Sequence, residues 1–457
     1  MKKTFEDIKY LYTIPYQNKF IVYRPLKKIA FIANAAMVNL IERTRNIPPE
    51  NKKADSSAND FLASIGWFEP DPQIPFTVAN PNFYSPEVAI LFLTTRCNFR
   101  CIYCYASGGE SKIVHMPIEL GRRAIDIVCH NAIKAGQDYF TLGFHGGGEP
   151  TLAVQNFKET INYAKKKELP CKINVASNGY WTASYRRWIL GNVDEISLSF
   201  DGIKSVHNHQ RPLSSGAGSY DRVYKTINEL DRKNFSYGIR LTVTDESIPY
   251  LVKSIIFLCR NTECNTFQVE PAFNHGRAKK NGYSLKQIKS FASAFMEAYD
   301  ITISFKRHMY YSGARPWVIT DRFCQAPEKA LIVGPNGFLT SCYEIYSKEH
   351  SLSEDFIFGR LSARGNLEIN KKRRHRFFNK INQRREQCKN CFCYWHCAGD
   401  CPSKTFPSNT ENSSSMKERC ELNRIITKEL LIRYIESGNG VWQGEIEDFF
   451  SADDCYE

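Results

Sequence analysis

The stretch Val88-Ala-Ile-Leu-Phe-Leu-Thr-Thr-Arg-Cys97-Asn-Phe-Arg-Cys101-Ile-Tyr-Cys104 joins an apolar run to three closely spaced cysteines. The apolar run predicts a buried β-strand over residues 88–95, so the cysteines are expected at its carboxyl end. Three thiolates at this spacing can bind three irons of a four-iron, four-sulfur cluster and leave the fourth iron without a protein ligand. The alternative is a zinc site, which needs a fourth ligand nearby. The next histidine, His115, lies eleven residues beyond Cys104.

Residues 87 to about 305 alternate short apolar runs with amphipathic stretches, a pattern typical of parallel strands covered by helices. Strands are predicted over residues 88–95, 139–144, 172–176, 195–200, 237–243 and 266–269, and helices over residues 117–135, 156–167, 220–233 and 248–260. Six such units are too few for a closed eight-stranded barrel, so a partial barrel or an open sheet is expected. In either architecture the chemistry lies at the carboxyl ends of the strands.

Short polar segments follow the second, third and fourth predicted strands. They are His145-Gly-Gly-Gly-Glu149-Pro150, Ser177-Asn178-Gly179 and Ser199-Phe-Asp201-Gly202, with His207-Asn-His-Gln-Arg211 soon after. Each segment alone is typical of an ordinary loop, but their order at successive strand ends predicts one shared site. Glu270 ends the sixth predicted strand and is expected to point toward the same site, as a substrate ligand or proton acceptor; a surface glutamate is the alternative.

A second group of cysteines occupies the C-terminal part of the chain. Its members are Cys324, Cys342, Cys388, Cys391, Cys397, Cys401 and Cys420. The sequence contains no export signal and no run of about 18 to 20 apolar residues, so export and membrane insertion are not expected and a cytoplasmic location is. In that reducing compartment, 16 cysteines with such clustering favour metal sites over disulfides.

The composition sets broad bounds. The chain has 457 residues, of which 42% are hydrophobic and 24% are charged. A chain of this length and composition is expected to hold about two to four globular domains. The net charge of +13 is compatible with an acidic partner, and it is the only feature that favours a nucleic acid, which is not expected as a partner.

Together these motifs resemble the radical S-adenosylmethionine (radical SAM) superfamily, whose hallmark is CxxxCxxC after the first strand of a partial (βα)6 barrel. The resemblance implies that Cys97, Cys101 and Cys104 bind a catalytic [4Fe–4S] cluster. It also implies that Glu149 and the glycines before it hold the amino group of S-adenosylmethionine, and that Arg211 pairs with its carboxylate. The implied contacts to this cofactor are Tyr103, Gly147, Gly148, Glu149, Ser177, Asn178, Ser199, Asp201 and Arg211. The chain departs from the family at Asn208, where the family has Asp.

The C-terminal cysteines resemble the cysteine-rich SPASM domain of the same superfamily, which binds two auxiliary [4Fe–4S] clusters. The resemblance implies that one cluster is bound by Cys388, Cys391, Cys397 and Cys420, and the other by Cys324, Cys342 and Cys401. The second set is one ligand short, because no cysteine lies between Cys324 and Cys342. Cys393 or Glu344 is a candidate for the fourth ligand, or the site stays open to substrate. Zinc is the alternative metal for these cysteines.

Residues 1–85 are predicted to form a separate unit. A hairpin is expected over residues 19–25 and 28–32, a helix over residues 35–45 with Asn34 as its cap, a loop over residues 47–59 and a second helix over residues 57–68. This order resembles winged-helix domains that bind leader peptides, in which an exposed strand edge accepts an extended peptide. An unspecialised cap is the alternative. The predicted domains are residues 1–85, the barrel at 86–310, the SPASM domain at 311–425, and a C-terminal helix and tail at 426–457.

The resemblance implies an α/β enzyme that oxidatively modifies a ribosomally made precursor peptide through a 5′-deoxyadenosyl radical. The expected product is an intrapeptide crosslink through a carbon–carbon, ether or thioether bond, with the auxiliary clusters accepting an electron. Implied cofactors are S-adenosylmethionine and three [4Fe–4S] clusters, and implied partners are the precursor with its leader and a reductant such as flavodoxin or ferredoxin. A sulfatase-maturating, formylglycine-forming enzyme is the alternative within the superfamily. An iron–sulfur electron carrier or sensor is the alternative outside it.

Overall fold

A computed structural model describes residues 10–44, 56–72, 81–110, 112–273, 276–280, 285–406 and 413–444. The tail predicted beyond residue 444 and most of the loop predicted over residues 47–59 lie outside the described residues. The strands are β1 (Tyr12–Tyr16), β2 (Lys19–Arg24), β3 (Ile29–Ala33), β4 (Val88–Leu91), β5 (Phe140–Phe144), β6 (Cys171–Ser177), β7 (Glu195–Ser199), β8 (Tyr237–Val243), β9 (Thr266–Pro271), β10 (His308–Tyr310), β11 (Ala330–Val333), β12 (Phe338–Thr340), β13 (Ile357–Leu361), β14 (Leu367–Ile369) and β15 (Val441–Gln443).

The helices alternate with these strands. They are α1 (Ala35–Thr44), α2 (Ser56–Ser64), α3 (Ile118–Lys134), α4 (Val154–Ala164), α5 (Ala183–Leu190), α6 (Lys204–Gln210), α7 (Tyr220–Arg232), α8 (Leu251–Asn261), α9 (Leu285–Ser304), α10 (Ala326–Lys329), α11 (Ser353–Phe356), α12 (Lys371–Gln387), α13 (Tyr394–Cys397), α14 (Pro402–Thr405) and α15 (Ser413–Ser437). Short 3-10 helices span Pro25–Lys27, Pro150–Leu152, Asp245–Tyr250 and Gly276–Lys280.

The large sheet contains all six predicted strands. Among the described residues its order is β10-β9-β8-β7-β6-β5-β4-β11-β12-β13-β14. Strands β4 to β9 run parallel, each beside the next, and helices α3 to α8 connect them. Strands β10 and β11 extend the parallel part on either side, and β12 to β14 continue it in antiparallel pairs. The predicted α/β class with six consecutive βα units is therefore confirmed.

The first predicted strand ends earlier than expected, and the reason bears on the site. Residues 88–91 pair within the large sheet, but residues 93–95 turn away and pair with residues 114–116. Thr95 N donates to Val114 O at 3.0 Å, and Met116 N donates to Leu93 O at 2.9 Å. This pairing closes the base of the loop that carries the three cysteines, and it holds that loop at the end of β4.

A smaller antiparallel sheet has the order β1-β2-β3-β15. The predicted hairpin corresponds to β2 and β3, and the predicted cap is present, because Met37 N donates to Asn34 Oδ1 at 2.9 Å. Sequence analysis missed β1, and it also missed that β15 pairs with β3 and places Trp442 opposite Ala30. A pairing between the two ends of a chain has no local signal in the sequence.

Both faces of this small sheet are buried. On β2, Ile21 and Tyr23 belong to the core of the large sheet, whereas Val22 packs with Phe31 and Trp67 in a separate core. Successive side chains of a strand point to opposite faces, so β2 contributes alternate side chains to each of the two cores. The N-terminal sheet is therefore packed against the rest of the molecule by one face and against α1 and α2 by the other.

Substitution of Trp442 by Ala should release β15 from β3. Trp442 is 2% exposed, and its ring lies 5.3 Å from that of Tyr434 and 6.3 Å from that of Tyr23. Loss of a buried aromatic side chain costs about 3 to 5 kcal/mol, and Trp442 is the one buried residue of this three-residue strand. We expect faster deuterium exchange of the β3 amides by mass spectrometry. Gln443→Ala, at an exposed position of β15, is the control, and unchanged exchange in Trp442→Ala would contradict the prediction.

Candidate functional site

The cluster loop, residues 97–104, is held in place by arginine side chains. Arg100 Nη1 donates to the carbonyl oxygen of Cys97 at 3.0 Å, and Arg277 Nε donates to that of Cys101 at 2.8 Å. Arg277 follows the last strand of the six βα units, so the loop is braced from the opposite side of the site. These contacts fix the backbone from which the three thiols project.

The three thiols of the cluster loop suit a metal centre better than free thiolates. Phe99 N lies 3.5 Å from Cys97 Sγ, and Gly108 N lies 3.4 Å from Cys104 Sγ, so two sulfurs receive backbone N–H groups. Burial raises the pKa of Cys97 and of Cys101 to about 12. A positively charged iron core would offset the unfavourable burial of the thiolates.

Gly147 and Gly148 follow β5 and pass directly beside the cluster loop. Gly148 N donates to Thr94 O at 3.1 Å, and the next backbone N–H donates to Arg96 O at 2.8 Å. A Cβ atom on Gly148 would collide with the carbonyl oxygen of Arg96, so this close approach requires glycine. The expected contact of the two glycines with the amino group of S-adenosylmethionine stays a prediction.

Glu149 is buried in a hydrogen-bond network that joins the ends of β5 and β6. Its Oε1 accepts from Ser177 Oγ and from Thr151 Oγ1, both at 2.6 Å, and its Oε2 accepts from Asn178 N at 2.8 Å. Burial raises the pKa of Glu149. Asn178 Nδ2 in turn donates to Asn98 Oδ1 in the cluster loop at 2.9 Å. Glu149 therefore has a clear structural role, and its direct contact with the cofactor stays a prediction.

Tyr103, Asp201 and Arg211 form a second buried network. Arg211 Nε and Nη2 donate to the two oxygens of Asp201 at 2.9 and 3.0 Å, and Tyr103 OH donates to Asp201 Oδ2 at 2.6 Å. Burial opposes ionisation of Asp201, but Arg211 more than compensates and holds the pKa of Asp201 below its usual range. Two nitrogens of Arg211 are thus engaged by Asp201, and its predicted pairing with the cofactor carboxylate stays a prediction.

The remaining strand-end residues have separate positions. Ser199 ends β7 and is half-buried. Glu270 lies at the end of β9, where its Oε1 accepts from Ser312 N at 2.9 Å and from Gln268 Nε2 at 3.3 Å. Asn208 Oδ1 accepts from the first backbone N–H of α7 at 2.9 Å and so stabilises the start of that helix. Glu270 therefore supports a turn, and its role as proton acceptor stays a prediction.

Sequence analysis missed that the rings of His145, Tyr105 and Tyr343 meet beside the glycine segment, residues 146–148. The ring of His145 stacks on that of Tyr343 at 5.1 Å, and its Nδ1 lies 3.5 Å from Tyr105 OH. Burial, with a smaller contribution from the nearby guanidinium of Arg240, lowers the pKa of His145 to about 3, so the imidazole is neutral. Tyr343 belongs to the C-terminal cysteine-rich part, and no spacing rule connects it to the end of β5.

The cysteines of the first C-terminal set lie near one another, and their binding of a cluster stays a prediction. Its members are Cys388, Cys391, Cys397 and Cys420. Burial raises the pKa of Cys388 and of Cys397, and in both cases the thiols of Cys391 and Cys420 are close enough to raise it further. Arg384 Nη2 lies 3.0 Å from Cys420 Sγ. The set thus lies around one centre, next to a permanent positive charge.

The second C-terminal set is also brought together, and it lies close to the cluster loop. Its members are Cys324, Cys342 and Cys401. Burial, with a smaller contribution from the thiol of Cys401, raises the pKa of Cys324 to about 11. The bridging segment, residues 342–346, runs from this set to the glycine segment, where the ring of Tyr346 packs on that of Phe92 at 5.4 Å and lies against Gly147.

The donors of these sets are of the type that iron–sulfur clusters use. In such a cluster each thiolate binds a different iron. The cluster loop and the two C-terminal sets fit such groups by residue type and burial.

Parallel βα units with a three-cysteine loop at the first strand end define a class of iron–sulfur enzymes. Residues 91–255 match the family described as the Radical SAM superfamily. Over these residues the chain contains a radical SAM domain, and it is an enzyme that uses S-adenosylmethionine and a [4Fe–4S] cluster. In the described residues, no helix is long and apolar enough to cross a membrane.

Relatives extend the likeness beyond the matched domain. The sporulation killing factor maturation protein SkfB of Bacillus subtilis (strain 168) is 26% identical over 330 residues, which cover 69% of this chain and 74% of SkfB. A cysteine-type anaerobic sulfatase-maturating enzyme of Clostridium novyi (strain NT) is 21% identical over 347 residues, which cover 70% of this chain and 89% of that enzyme.

Two solved structures share the fold of this chain. Native anSMEcpe with bound AdoMet and Cp18Cys peptide matches with a TM-score of 0.61 at 19% identity, covering 78% of this chain and 99% of that chain. Streptococcus suis SuiB bound to precursor peptide SuiA matches with a TM-score of 0.52 at 13% identity, covering 89% of this chain and 98% of that chain. At these identities the two likenesses show a shared fold, and the SPASM assignment of the C-terminal cysteines stays a prediction.

Substitution of Arg211 by Ala should destabilise the protein strongly, because it leaves Asp201 as an unpaired buried carboxylate. The two side chains are 6% and 2% exposed, and removing one partner of a buried pair costs about 3 to 5 kcal/mol. Lys204→Ala is the control, since it breaks an exposed ion pair with Asp221 that is worth about 0 to 1 kcal/mol. Anaerobic thermal unfolding measures both variants. Equal losses in the two variants would contradict the prediction.

Proposed function

We propose that this protein oxidises a ribosomally made precursor peptide and forms a crosslink within it. The observation that carries the proposal is the fold likeness to SuiB bound to its precursor peptide, which extends over 89% of this chain. The likeness to SkfB, a maturation protein, supports the same function. The product has a new carbon–carbon, ether or thioether bond.

The cofactors supply the chemistry, and the chain supplies its setting. When bound, S-adenosylmethionine and the cluster on residues 97–104 supply a 5′-deoxyadenosyl radical that removes one hydrogen atom from a peptide side chain. Bond closure removes a second hydrogen as a proton and an electron, so the product lacks two hydrogen atoms. The neutral ring of His145 and the rings of Tyr343 and Tyr346 pack beside the glycine segment, where they help to exclude water from the proposed site. Glu270, at the end of β9, is the proposed proton acceptor.

Two auxiliary clusters on the C-terminal sets are the proposed acceptors of the electron. The second set supports this role, because the bridging segment connects it directly to the glycine segment at Gly147. The proposed reductant is a small acidic electron carrier such as flavodoxin or ferredoxin. The net charge of +13 favours encounter with a partner of that kind.

A sulfatase-maturating activity is the second candidate. The TM-score of 0.61 to anSMEcpe exceeds the 0.52 to SuiB, and this observation favours it. Against it, the anSMEcpe match covers 78% of this chain, whereas the SuiB match covers 89%. The eighth cluster cysteine expected of that family soon after Cys324 is also missing from the sequence.

We propose further that the N-terminal sheet binds the leader of the precursor. Addition of a strand needs a free sheet edge, and the β1 edge is unsuitable, because Pro15 has no N–H and its carbonyl accepts from Lys428 Nζ at 2.6 Å. The β3 edge accepts strands in this position, since β15 already pairs with residues 29–31. A leader that adds to β3 must therefore displace β15. A simple cap is the alternative, supported by the packing of Ile21 and Tyr23 in the large core.

Co-expression with a candidate short precursor peptide, sought among the open reading frames beside the gene, tests the reaction. Mass spectrometry should show a peptide that has lost two hydrogen atoms and that resists fragmentation between the linked residues, because they remain joined. Formylglycine formation from serine also removes two hydrogens, so the product must be treated with a hydrazide, which captures an aldehyde but not a crosslink. Cys97→Ala is the control and should give unmodified peptide. A hydrazide-reactive product would favour the second candidate and contradict the crosslink.

The Trp442→Ala variant also tests leader binding. If β15 competes for the β3 edge, its release raises the fraction of protein that can accept the leader, and the affinity should rise about tenfold or more. Fluorescence anisotropy with a labelled synthetic leader measures this, with Gln443→Ala as the control. Equal affinity of wild type and Trp442→Ala, together with faster exchange in β3, would show that the leader binds elsewhere.

A further inference from the structure

The second C-terminal set offers three cysteines, and the structure narrows the choice of a fourth ligand. Cys393 was one candidate, but it is 2% exposed and its thiol donates to Thr427 Oγ1 at 3.5 Å and to Asn423 O at 3.8 Å. Those partners lie on α15, which also carries Cys420 of the first set. Cys393 therefore lies with the first set and is in the wrong place to complete the second.

Glu344 lies beside two cysteines of the second set. It follows Cys342 by two residues, and its backbone N–H donates to Cys342 Sγ at 3.4 Å. Ser403 Oγ lies 3.2 Å from Cys401 Sγ and donates to Glu344 Oε2 at 2.8 Å. A single hydroxyl group, that of Ser403, therefore bridges the Glu344 carboxylate and the Cys401 sulfur. Ligand atoms that bind neighbouring irons of one cluster are separated by a distance of this order.

The carboxylate is held in position by a second contact. Lys404 Nζ donates to Glu344 Oε2 at 2.7 Å, and the Lys404 side chain is 9% exposed against 28% for Glu344. Both Ser403 and Lys404 belong to α14, which begins directly after Cys401. One short helix thus fixes a cysteine and the two groups that orient the carboxylate. Such an arrangement is typical of the outer contacts that orient a metal ligand.

We propose that Glu344 is the fourth ligand of the cluster bound by Cys324, Cys342 and Cys401. The inference rests on the proposed auxiliary clusters and adds the identity of the missing ligand. Ser403 and Lys404 are the positioning residues, because both donate hydrogen bonds to the carboxylate of Glu344. With four protein ligands, this cluster has no iron open to substrate, and it serves electron transfer only.

Iron analysis and electron paramagnetic resonance test the proposal in full-length, anaerobically reconstituted protein. Cys97, Cys101 and Cys104 are first changed to Ala, which removes the catalytic cluster and its own open iron. This background should retain about eight irons, as two four-iron clusters require. Glu344→Ala and Glu344→Gln are then added, since both remove the ligand while Gln keeps a hydrogen-bonding group for Ser403. Both should lose about one iron and show the signal of an oxidised three-iron cluster.

Two further variants separate ligation from a structural effect. Glu344→Cys supplies a thiolate in place of the carboxylate, so it should restore about eight irons and abolish the three-iron signal. Glu349→Gln is the matched control, because Glu349 lies on the same loop, is exposed and bonds to Ser347, and it should behave as the background does.

Two results would overturn the inference, and they differ. If Glu344→Gln retains all its iron without a three-iron signal, Glu344 is not a ligand, even where Glu344→Ala loses iron. If the background itself holds only about four irons, the proposed auxiliary pair of clusters is wrong, and the inference fails with it. The first result leaves the proposed function standing.

Discussion

The contact between the backbone at Gly148 and the backbone at Arg96 is the constraint on which the site depends. It brings the segment after β5 against the cluster loop after β4, and it leaves no room for a Cβ atom. Parallel strands deliver both segments to the same edge of the sheet, but only glycine lets them approach so closely. The buried carboxylate of Glu149 then extends this contact to the end of β6. Three successive strand ends are thereby fixed relative to the thiols.

Buried ion pairs hold the two halves of the site in a similar way. Asp201 and Arg211 join the ends of β7 and α6 beneath the cluster loop, and Asp400 and Arg419 join the C-terminal cysteines to α15 at 2.5 Å. A buried pair contributes little net stability, because both charges lose their hydration. Further hydrogen bonds support each pair, such as Asn423 Nδ2 to Asp400 Oδ2 at 3.0 Å and Tyr103 OH to Asp201 Oδ2 at 2.6 Å. These directional contacts fix the relative positions of the elements that they join.

The C-terminal part is built into the catalytic unit rather than attached to it. β11 pairs with β4 on the side away from β5, so the cysteine-rich segment begins as an extension of the large sheet. The bridging segment then returns to the glycine segment through Tyr346, and Tyr343 stacks on His145. β15 finally pairs with β3 and joins the end of the described chain to its beginning.

The sequence alone determined what depends on local periodicity and spacing. The six strands, four of the helices between them and the cap at Asn34 were readable, because each is encoded within a few consecutive residues. Tertiary structure alone decided the occupation of the β3 edge by β15, the engagement of Arg211 by Asp201, and the place of Glu344 beside Cys401 through Ser403. These contacts join residues far apart in the chain or depend on which side-chain atoms meet. Burial and hydrogen bonding over the whole core determine these long-range contacts. A single sequence carries no local signal for them.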